Sequence, residues 1–363
     1  MNSAHELSTL IEALRTLRLD GQPKAALATL TRTWGSTFRR PGTRMLVLGD
    51  GRVVCELSGG CPQRDIVARA REVIADALPR LVRYNAESGL DVLLEMGCGG
   101  ELEILIEPLT VSHTVGFVDV LAQCLGDRRR ARLATLFAVD GAVVMPRRLL
   151  WHEHDVLHDE IHDPAWRQAI VDTVAAATNK RGMTLQLPSP QGIIDVLVET
   201  IEPAHALVVI GSSAAARALL PLARALGWQT TLVDRDPQRL QAADLPVDLR
   251  TVCASAGALR KALPFDAQTS VVVMTHNLEQ DIAYLSALRD SPMGYLGALG
   301  SRERVARMRS SPALAGMRIH APAGLDIGSE TPEEIALAIA AEIIAVSNHR
   351  RGGSLRDNEG AIH

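Results

Sequence analysis

Aromatic side chains are scarce in this 363-residue chain, where they make up 3% of the sequence. Proteins that read nucleic-acid bases usually need aromatic platforms, and a net charge of −4 provides no general attraction to polyanions. We therefore expect no nucleic-acid partner. Hydrophobic residues account for 47% of the chain, so Ala, Leu, Val and Ile must fill the core of a globular protein.

Several other signals are absent. No uninterrupted apolar run reaches the roughly 18 residues of a membrane span, and residues 1–20 have the pattern of an amphipathic helix instead of a signal peptide. Walker A, G-x-S-x-G and H-E-x-x-H motifs are missing. The five cysteines have no C-x-x-C spacing, which argues against a zinc ribbon or a disulfide framework and favours a reducing cytoplasm.

A short glycine-rich loop, Ser58, Gly59, Gly60 and Cys61, runs into an amphipathic helix whose first position suits Pro62. Amide groups at a helix start attract anions and favour a thiolate. Such a loop could therefore hold a ligand that carries both a phosphate and a soft metal. A tight turn with a buried cysteine is the alternative.

A second loop of this kind contains Cys98 and Gly99, within 97–100 (GCGG), and leads into a strand. The two loops together make a binding role as plausible as a purely structural one. Residues 101–107 alternate between apolar and acidic side chains, which predicts a half-buried strand. Around the first loop, strands are predicted at 44–48 and 53–57, and a helix at 64–78.

The first 200 residues are predicted to form an α+β domain with duplicated halves. Residues 131–136 (ARLATL) repeat the pattern of 25–30 (AALATL), and 193–203 repeats that of 102–108. A helix is predicted at 166–177. The second half has neither cysteine loop, so we interpret it as a copy that kept the architecture and lost the site.

From residue 201 to 351, strands alternate with helices, which predicts a doubly wound, Rossmann-like parallel sheet. Its strands are expected at 207–210, 230–233, 270–274 and 294–299. The segment 331–334 (TPEE) predicts a capping box that opens a helix to about residue 348. Residues 352–363 are predicted to form a flexible tail.

The turn after the first Rossmann strand reads GSSAAA and has one of the three glycines of a dinucleotide fingerprint, Gly211. Ser212 follows it, and Asp234 ends the second strand, where a ribose hydroxyl could bind. Three interpretations of this site remain open. It binds NAD(P), it binds another nucleotide or a pterin phosphate, or it is a purely structural turn.

Other polar residues follow later strands of the same sheet. His276 could orient a ligand or transfer a proton, or it could be a polar helix cap. Ser301 and Arg302 place a hydroxyl and a cation at a helix start. Asp326, in 324–328 (GLDIG), is either a site residue or an internal cap.

Four histidines crowd residues 152–162 together with four acidic residues. A spacing of four would align metal ligands on a helix face, so zinc is conceivable. A solvated, charged connector is the preferred interpretation.

In order along the chain, nine segments resemble the XdhC/CoxI family: 32–36 (RTWGS), 40–42 (RPG), 58–61 (SGGC), 79–84 (PRLVRY), 97–100 (GCGG), 273–276 (VMTH), 299–302 (LGSR), 324–328 (GLDIG) and 331–336 (TPEEIA). The family consists of accessory proteins for the maturation of molybdenum hydroxylases such as xanthine, aldehyde and carbon monoxide dehydrogenases. The resemblance covers nearly the whole chain.

This resemblance implies a chaperone, not an enzyme, and no catalytic residues. Its cargo would be the molybdenum cofactor, as molybdopterin or its nucleotide form, bound during sulfuration and then inserted into an apo molybdenum hydroxylase. Cys61 and Cys98 would contact molybdenum. A cysteine desulfurase is a further expected partner, and a homodimer the expected assembly.

The chain departs from the family where GSSA replaces a Gly-Ala-Gly-His turn, which puts nucleotide binding in doubt. An NAD(P)-linked oxidoreductase that uses the Rossmann-like domain is the alternative function.

Overall fold

The computed structural model describes residues 4–17, 24–57, 61–85, 100–109, 111–176, 182–241, 245 and 249–357. The chain divides into two compact units, Met1–Pro203 and Ala204–His363. Within the described residues, no helix has both the length and the apolar character needed to cross a membrane.

Two five-stranded antiparallel sheets form the framework of the first unit. Its helices are α1 (Ala4–Thr16), α2 (Cys61–Asp76), α3 (Val111–Gly126) and α4 (Pro164–Ala176). The strands of the first sheet are β1 (Ala25–Trp34), β2 (Arg44–Leu48), β3 (Val53–Val54), β4 (Arg80–Tyr84) and β5 (Glu101–Pro108). Those of the second sheet are β6 (Ala131–Val139), β7 (Ala142–His152), β8 (Asp155–Asp159), β9 (Met183–Ser189) and β10 (Gly192–Ile201).

The two halves of this unit have one topology. Each runs helix, three strands, helix, two strands along the chain, and the strand orders β3-β2-β1-β5-β4 and β8-β7-β6-β10-β9 correspond one to one. Even the register shift in the central strand recurs, after Leu30 in β1 and after Leu136 in β6. That the halves arose by duplication stays a prediction.

Each sheet packs a helix on one face and the other sheet on the opposite face. Ile66 and Val73 of α2 lie against the first sheet, and Ile170 and Val174 of α4 lie against the second. Between the sheets lies a small apolar cluster centred on Leu105, Phe137, Ala138 and Leu197. Helices α1 and α3 pack against each other.

Buried ion pairs cross between the sheets. Arg44 Nη1 donates to Glu199 Oε1 at 2.9 Å, and Arg148 pairs with Glu107. Thr29 pairs with Arg44 in the first sheet, just as Thr135 pairs with Arg148 in the second. The two arginines therefore occupy equivalent positions, and each binds a glutamate of the opposite half.

The prediction of a half-buried strand at 101–107 is wrong. All but the first residue of β5 are buried, because the second sheet covers the acidic face that should have met water. There Glu103 accepts a hydrogen bond from Arg32 Nη1 at 2.6 Å, and Glu107 pairs with Arg148. Paired arginines compensate for the cost of burying these carboxylates.

The strand expected at 53–57 is also shorter than predicted. It ends at Val54, because Cys55 has a φ of 63°, outside the range of extended backbone.

The second unit is a doubly wound parallel sheet, as predicted. Its strands are β11 (Ala206–Ile210), β12 (Gln229–Asp234), β13 (Arg250–Cys253), β14 (Thr269–Val273) and β15 (Tyr295–Ala298), in the order β13-β12-β11-β14-β15. Its helices are α5 (Ala214–Ala225), α6 (Leu259–Ala262), α7 (Leu278–Ala287), α8 (Arg302–Arg309) and α9 (Pro332–Ser347).

Apolar clusters cover both faces of this sheet, with α5 and α9 on one side and α7 and α8 on the other. The run of apolar residues in β11 is buried throughout after Ala206, as expected for a central parallel strand. The capping box is confirmed, since the Thr331 hydroxyl accepts from the Glu334 amide and the Glu334 carboxylate accepts from the Thr331 amide.

Candidate functional site

The first predicted site lies where α2 begins. The helix starts at Cys61, the final residue of the glycine-rich loop, which fits the expected helix start near Pro62. Ser58, Gly59 and Gly60 lie outside the described residues.

Cys98 and Gly99 of the second loop are also outside the described residues, as is the side chain of Cys61. The placement of both thiols relative to one another therefore stays a prediction. What the structure does describe is the set of residues that flank the two loops.

A hydrogen bond joins the N-terminal half of α2 to the last residue of β4. The Tyr84 hydroxyl donates to Asp65 Oδ2 at 2.7 Å, and Arg69 Nε donates to the same oxygen at 2.7 Å. Tyr84 is only 3% exposed. Because Tyr84 pairs with Leu102, two residues after Gly100, this bond holds α2 near the end of the second loop.

Protonation states support this hydrogen bond. Partial burial raises the pKa of Asp65, but the hydrogen bonds from Arg69 and Tyr84 outweigh it and leave the pKa below its ordinary value. Burial, and then the bond to Asp65, raise the pKa of Tyr84. The carboxyl group is therefore ionised and the phenol protonated at neutral pH, as the donor and acceptor roles require.

Gly100 fixes the other end of the second loop. A Cβ atom on this residue would lie 2.2 Å from the Ser36 carbonyl oxygen and 2.6 Å from Thr37 Cγ2. The next residue, Glu101, pairs with Trp34 at the end of β1. Gly100 thus lets the backbone at the start of β5 approach the segment after β1, at the same end of the first sheet where Tyr84 bonds to α2.

The second predicted site lies at the carboxyl edge of the parallel sheet. Gly211 has a φ of +103°, and a Cβ there would lie 2.6 Å from the Met274 carbonyl oxygen. β11 and β14 therefore approach closely at the point where the strand order reverses, which is where doubly wound folds bind ligands. Glycine is required here by backbone geometry alone.

Ser212 and Asp234 do come together, but they bind each other. Ser212 Oγ donates to Asp234 Oδ2 at 3.1 Å, and the Asp236 amide donates to Oδ1 at 3.0 Å. Ser213 caps α5 by accepting from the Ala216 amide, a group that a phosphate would otherwise bind. A dinucleotide would have to displace these internal bonds, so the geometry does not favour the NAD(P) alternative.

A cavity of about 470 Å³ opens between the starts of α5 and α9. Its lining consists of Ser212, Ala214, Arg217, Ala218, Pro332 and Glu333. Among the predicted residues, Ser212 lines it, whereas Asp234, His276 and Ser301 do not. A ligand role for Gly211, Asp234 and His276 stays a prediction, and this cavity lies between the two helix starts.

The prediction that His276 could be a helix cap is wrong, because Asn277 caps α7. His276 is exposed with a φ of 60°, and its carbonyl oxygen accepts from Arg304 Nη1 at 3.2 Å. The organising residue is Asp281, fully buried, which accepts from Thr275 Oγ1 at 2.5 Å and pairs with Arg304. Sequence reasoning gave Asp281 and Arg304 no role.

Ser301 caps α8 by accepting from the Arg304 amide at 3.3 Å, and Arg302 is exposed in the first turn. Asp326 is exposed in its loop. The cap of the following helix is Thr331, so Asp326 does not have that role. A ligand role for these three residues stays a prediction.

The histidine-rich segment forms the hairpin of β7 and β8, so a helical spacing of ligands does not apply. His158 Nε2 lies 3.0 Å from Glu160 Oε1. In the part of the chain that the structure describes, no group of three or more His, Cys, Asp or Glu side chains is placed to hold a metal ion.

Both units are similar to known proteins. A family model described as the XdhC Rossmann domain matches residues 207–343, and one described as the XdhC and CoxI family matches residues 19–85. A Bacillus subtilis protein described as a probable subunit of xanthine dehydrogenase is 27% identical over 338 residues, covering 93% of this chain and 96% of that protein.

Two further similarities span nearly the whole chain. The molybdenum cofactor insertion chaperone PaoD of Escherichia coli is 24% identical over 339 residues, covering 91% of this chain and 86% of PaoD. A crystal structure described as a xanthine dehydrogenase from Bacillus halodurans has a TM-score of 0.77 and 24% identity, and covers 99% of this chain and 98% of that one. The structural match establishes the shared fold.

Proposed function

The chain belongs to the XdhC and CoxI family, and from this premise we propose that it is a chaperone that binds the molybdenum cofactor and inserts it into a molybdenum hydroxylase. The observation that carries the proposal is the similarity to PaoD across 91% of this chain and 86% of that chaperone. The cofactor is a cargo here, bound and released unchanged in its pterin skeleton.

We assign the metal-bearing end of the cargo to the edge of the first sheet. Cys61 and Cys98 would supply soft sulfur ligands for molybdenum or contact its dithiolene. The start of α2, as the positive end of a helix dipole, favours the thiolate form of Cys61 and attracts anions. The Tyr84–Asp65 bond supports this assignment because Tyr84 pairs with Leu102, so the bond holds α2 near the described end of the Cys98 loop at Gly100.

Within the second unit, the cavity between α5 and α9 is our separate candidate for a phosphate-binding site. Its lining includes the cation Arg217 together with the carboxylate of Glu333, so Arg217 is the side chain that would hold a phosphate there. Ser212 belongs to the same lining. Molybdopterin and its nucleotide form both carry phosphate, and either would suit this cavity.

The clients we propose are xanthine, aldehyde or carbon monoxide dehydrogenases in their apo forms. A cysteine desulfurase would act on the bound cofactor before transfer. We further propose a homodimer that acts in the cytoplasm.

The test is co-purification of molybdenum. The chain is expressed together with excess cofactor, and bound molybdenum per protein is measured by mass spectrometry. We expect the Cys61→Ser/Cys98→Ser double variant to lose nearly all bound metal. Cys253→Ser, which alters an exposed thiol in the second unit, is the matched control and should retain it.

Wild-type molybdenum content in the double variant would refute the cysteine assignment. A second assay mixes the loaded chaperone with apo hydroxylase and follows recovery of hydroxylase activity. Free cofactor at the same concentration, if equally effective, would contradict a chaperone role.

A further inference from the structure

The aromatic residues of this chain are unevenly placed. There are four tryptophans, four phenylalanines and three tyrosines, and all lie within the described part of the chain. Nine of them are buried or half-buried; Trp34 and Phe38 are the two that are exposed, by 37% and 74%. Both belong to the segment at the end of β1 and just after it, at the end of the first sheet where Gly100 approaches that segment.

Trp34 is held in a fixed arrangement. The Arg83 guanidinium carbon lies 4.3 Å from the centre of the Trp34 ring, close enough for a cation–π contact. Arg83 Nη2 also donates to Glu101 Oε2 at 2.8 Å. Glu101 pairs with Trp34 across the two strands, so the three residues form a closed set on adjacent strands.

This set adjoins the second cysteine loop. Gly100 precedes Glu101, and the contact between Gly100 and Ser36 brings the end of that loop against the segment after Trp34. Cys98 is only two residues before Gly100 in the sequence. The described end of the loop, at Gly100, therefore lies beside the surface that includes Trp34.

We propose that Trp34 and Arg83 bind the fused pterin ring of the cargo by stacking. This inference rests on the proposed function. The proposed function names residues for the metal end and the phosphate of the cofactor, and the inference adds residues that bind its pterin ring. An indole and a guanidinium are both flat surfaces on which a planar heterocycle stacks. The carbonyl edge of the pterin could accept hydrogen bonds from the guanidinium.

Trp34 and its neighbour Phe38 differ in how firmly their side chains are held. Trp34 is the last residue of β1 and contacts its strand partner and Arg83, whereas the side chain of Phe38 is 74% exposed. A pre-positioned ring loses little conformational entropy when a ligand stacks on it. Phe38 is therefore the control for a general effect of surface aromatics.

The experiment uses the full chain and pterin-6-carboxylate, a fluorescent pterin that lacks the dithiolene, the metal and the phosphate. Binding is followed by pterin fluorescence, which stacking on an indole quenches. We expect saturable binding to the wild type, affinity weakened by about tenfold or more in Trp34→Ala, and partial retention in Trp34→Phe. Arg83→Leu should weaken binding by a smaller factor, and Phe38→Ala should leave it unchanged.

Circular dichroism and melting temperature confirm that each variant is folded. The Cys61→Ser/Cys98→Ser variant should bind this pterin as the wild type does, so stacking can fail or succeed independently of the cysteine assignment. Wild-type affinity in Trp34→Ala, an equal loss in Phe38→Ala, or no saturable binding to the wild type would each overturn the inference. If Trp34→Ala keeps pterin affinity but loses capture of an apo hydroxylase, the surface docks protein and the inference is likewise overturned.

Discussion

The two halves of the first unit share a framework and differ in what surrounds it. Both place an arginine in the second strand and a glutamate in the fifth, and these pair crosswise as Arg44–Glu199 and Arg148–Glu107. This reciprocal arrangement is the pattern of an isologous interface, in which each partner gives the other the same contact. The interface between the halves is therefore built like that of a symmetric dimer.

The difference lies in the residues that support the candidate site. Strand register matches Tyr84 with Leu187, so the hydroxyl that binds Asp65 has no counterpart in the second half. It also matches Arg32, which joins Glu103 and Asp195, with Ala138. Among the described residues, the two halves share the crossed ion pairs, whereas Tyr84 and Arg32 of the first half match the apolar Leu187 and Ala138 of the second.

The largest effect should come from breaking a crossed ion pair. Arg148→Met leaves the Glu107 carboxylate, 3% exposed, without the arginine that neutralises it. We expect a loss of about 3–5 kcal/mol in unfolding free energy, measured by urea denaturation. Arg44→Met should cost a similar amount if the two pairs are equivalent.

The control for this prediction is Arg148→Met combined with Glu107→Leu, which removes both charges. The double variant should recover most of the lost stability, because an apolar pair of similar volume can replace a buried ion pair. If Arg148→Met lowers the unfolding free energy by less than about 1 kcal/mol, the ion pair with Arg148 does not offset the cost of burying the Glu107 carboxylate.

A smaller effect is expected at Gly100. In Gly100→Ala the new methyl group would meet the Ser36 carbonyl oxygen, a backbone atom that cannot rotate away. We expect about 1–3 kcal/mol of destabilisation by thermal or urea unfolding, together with reduced molybdenum content. The matched control is Gly126→Ala at the end of α3, where a Cβ meets nothing within 4 Å; equal effects at both glycines would contradict the close approach.

Tyr84→Phe tests the polar link found only in the first half. Removing a hydroxyl that donates to a carboxylate should cost about 1–2 kcal/mol at pH 7. The folded-state pKa of Asp65 lies below its ordinary value of 3.8, so its contribution is present above that value and is lost as the pH falls through the folded pKa. The stability gap between wild type and variant should therefore shrink on acidification below about pH 4; a gap that stays constant would argue against the bond.

The smallest effect should follow the ion pair between α1 and α3. Arg15 Nε lies 3.0 Å from Asp119 Oδ1, and the two side chains are 52% and 55% exposed. Asp119→Ala should change unfolding stability by less than about 0.5 kcal/mol, and added salt should remove the difference. A larger loss would mean that the helix pair depends on charge more than on its apolar contacts.

Elements with a local signal could be predicted from the sequence. The apolar run of β11, the turn at Gly211 and the capping box at Thr331 each depend on neighbouring residues, and the parallel sheet followed from their alternation. The acidic face of β5 could not be predicted in this way. Its alternating pattern is the same whether water or a second sheet covers it, and the arginine that meets Glu107 lies 41 positions away.

In the candidate site, too, features with a local sequence signal could be predicted, whereas contacts between distant residues could not. Glycine and cysteine spacing predicted the two loops, which lie mostly outside the described residues, whereas the bond from Tyr84 to Asp65 joins β4 to α2 and has no sequence motif. At the second site, Asp234 has the position of a ribose-binding carboxylate, yet its oxygens accept from Ser212 and the Asp236 amide. Position along a strand was predictable, whereas the hydrogen-bond partner was not.

The crossed arginines also constrain how this protein can change by recombination. Arg44 and Glu199 stand 155 positions apart, one in each half. Consider a genetic crossover between the halves with a relative that places these charges differently. The product would contain one member of each pair without the other, which leaves two buried charges unpaired. The two members of each pair must therefore be inherited together.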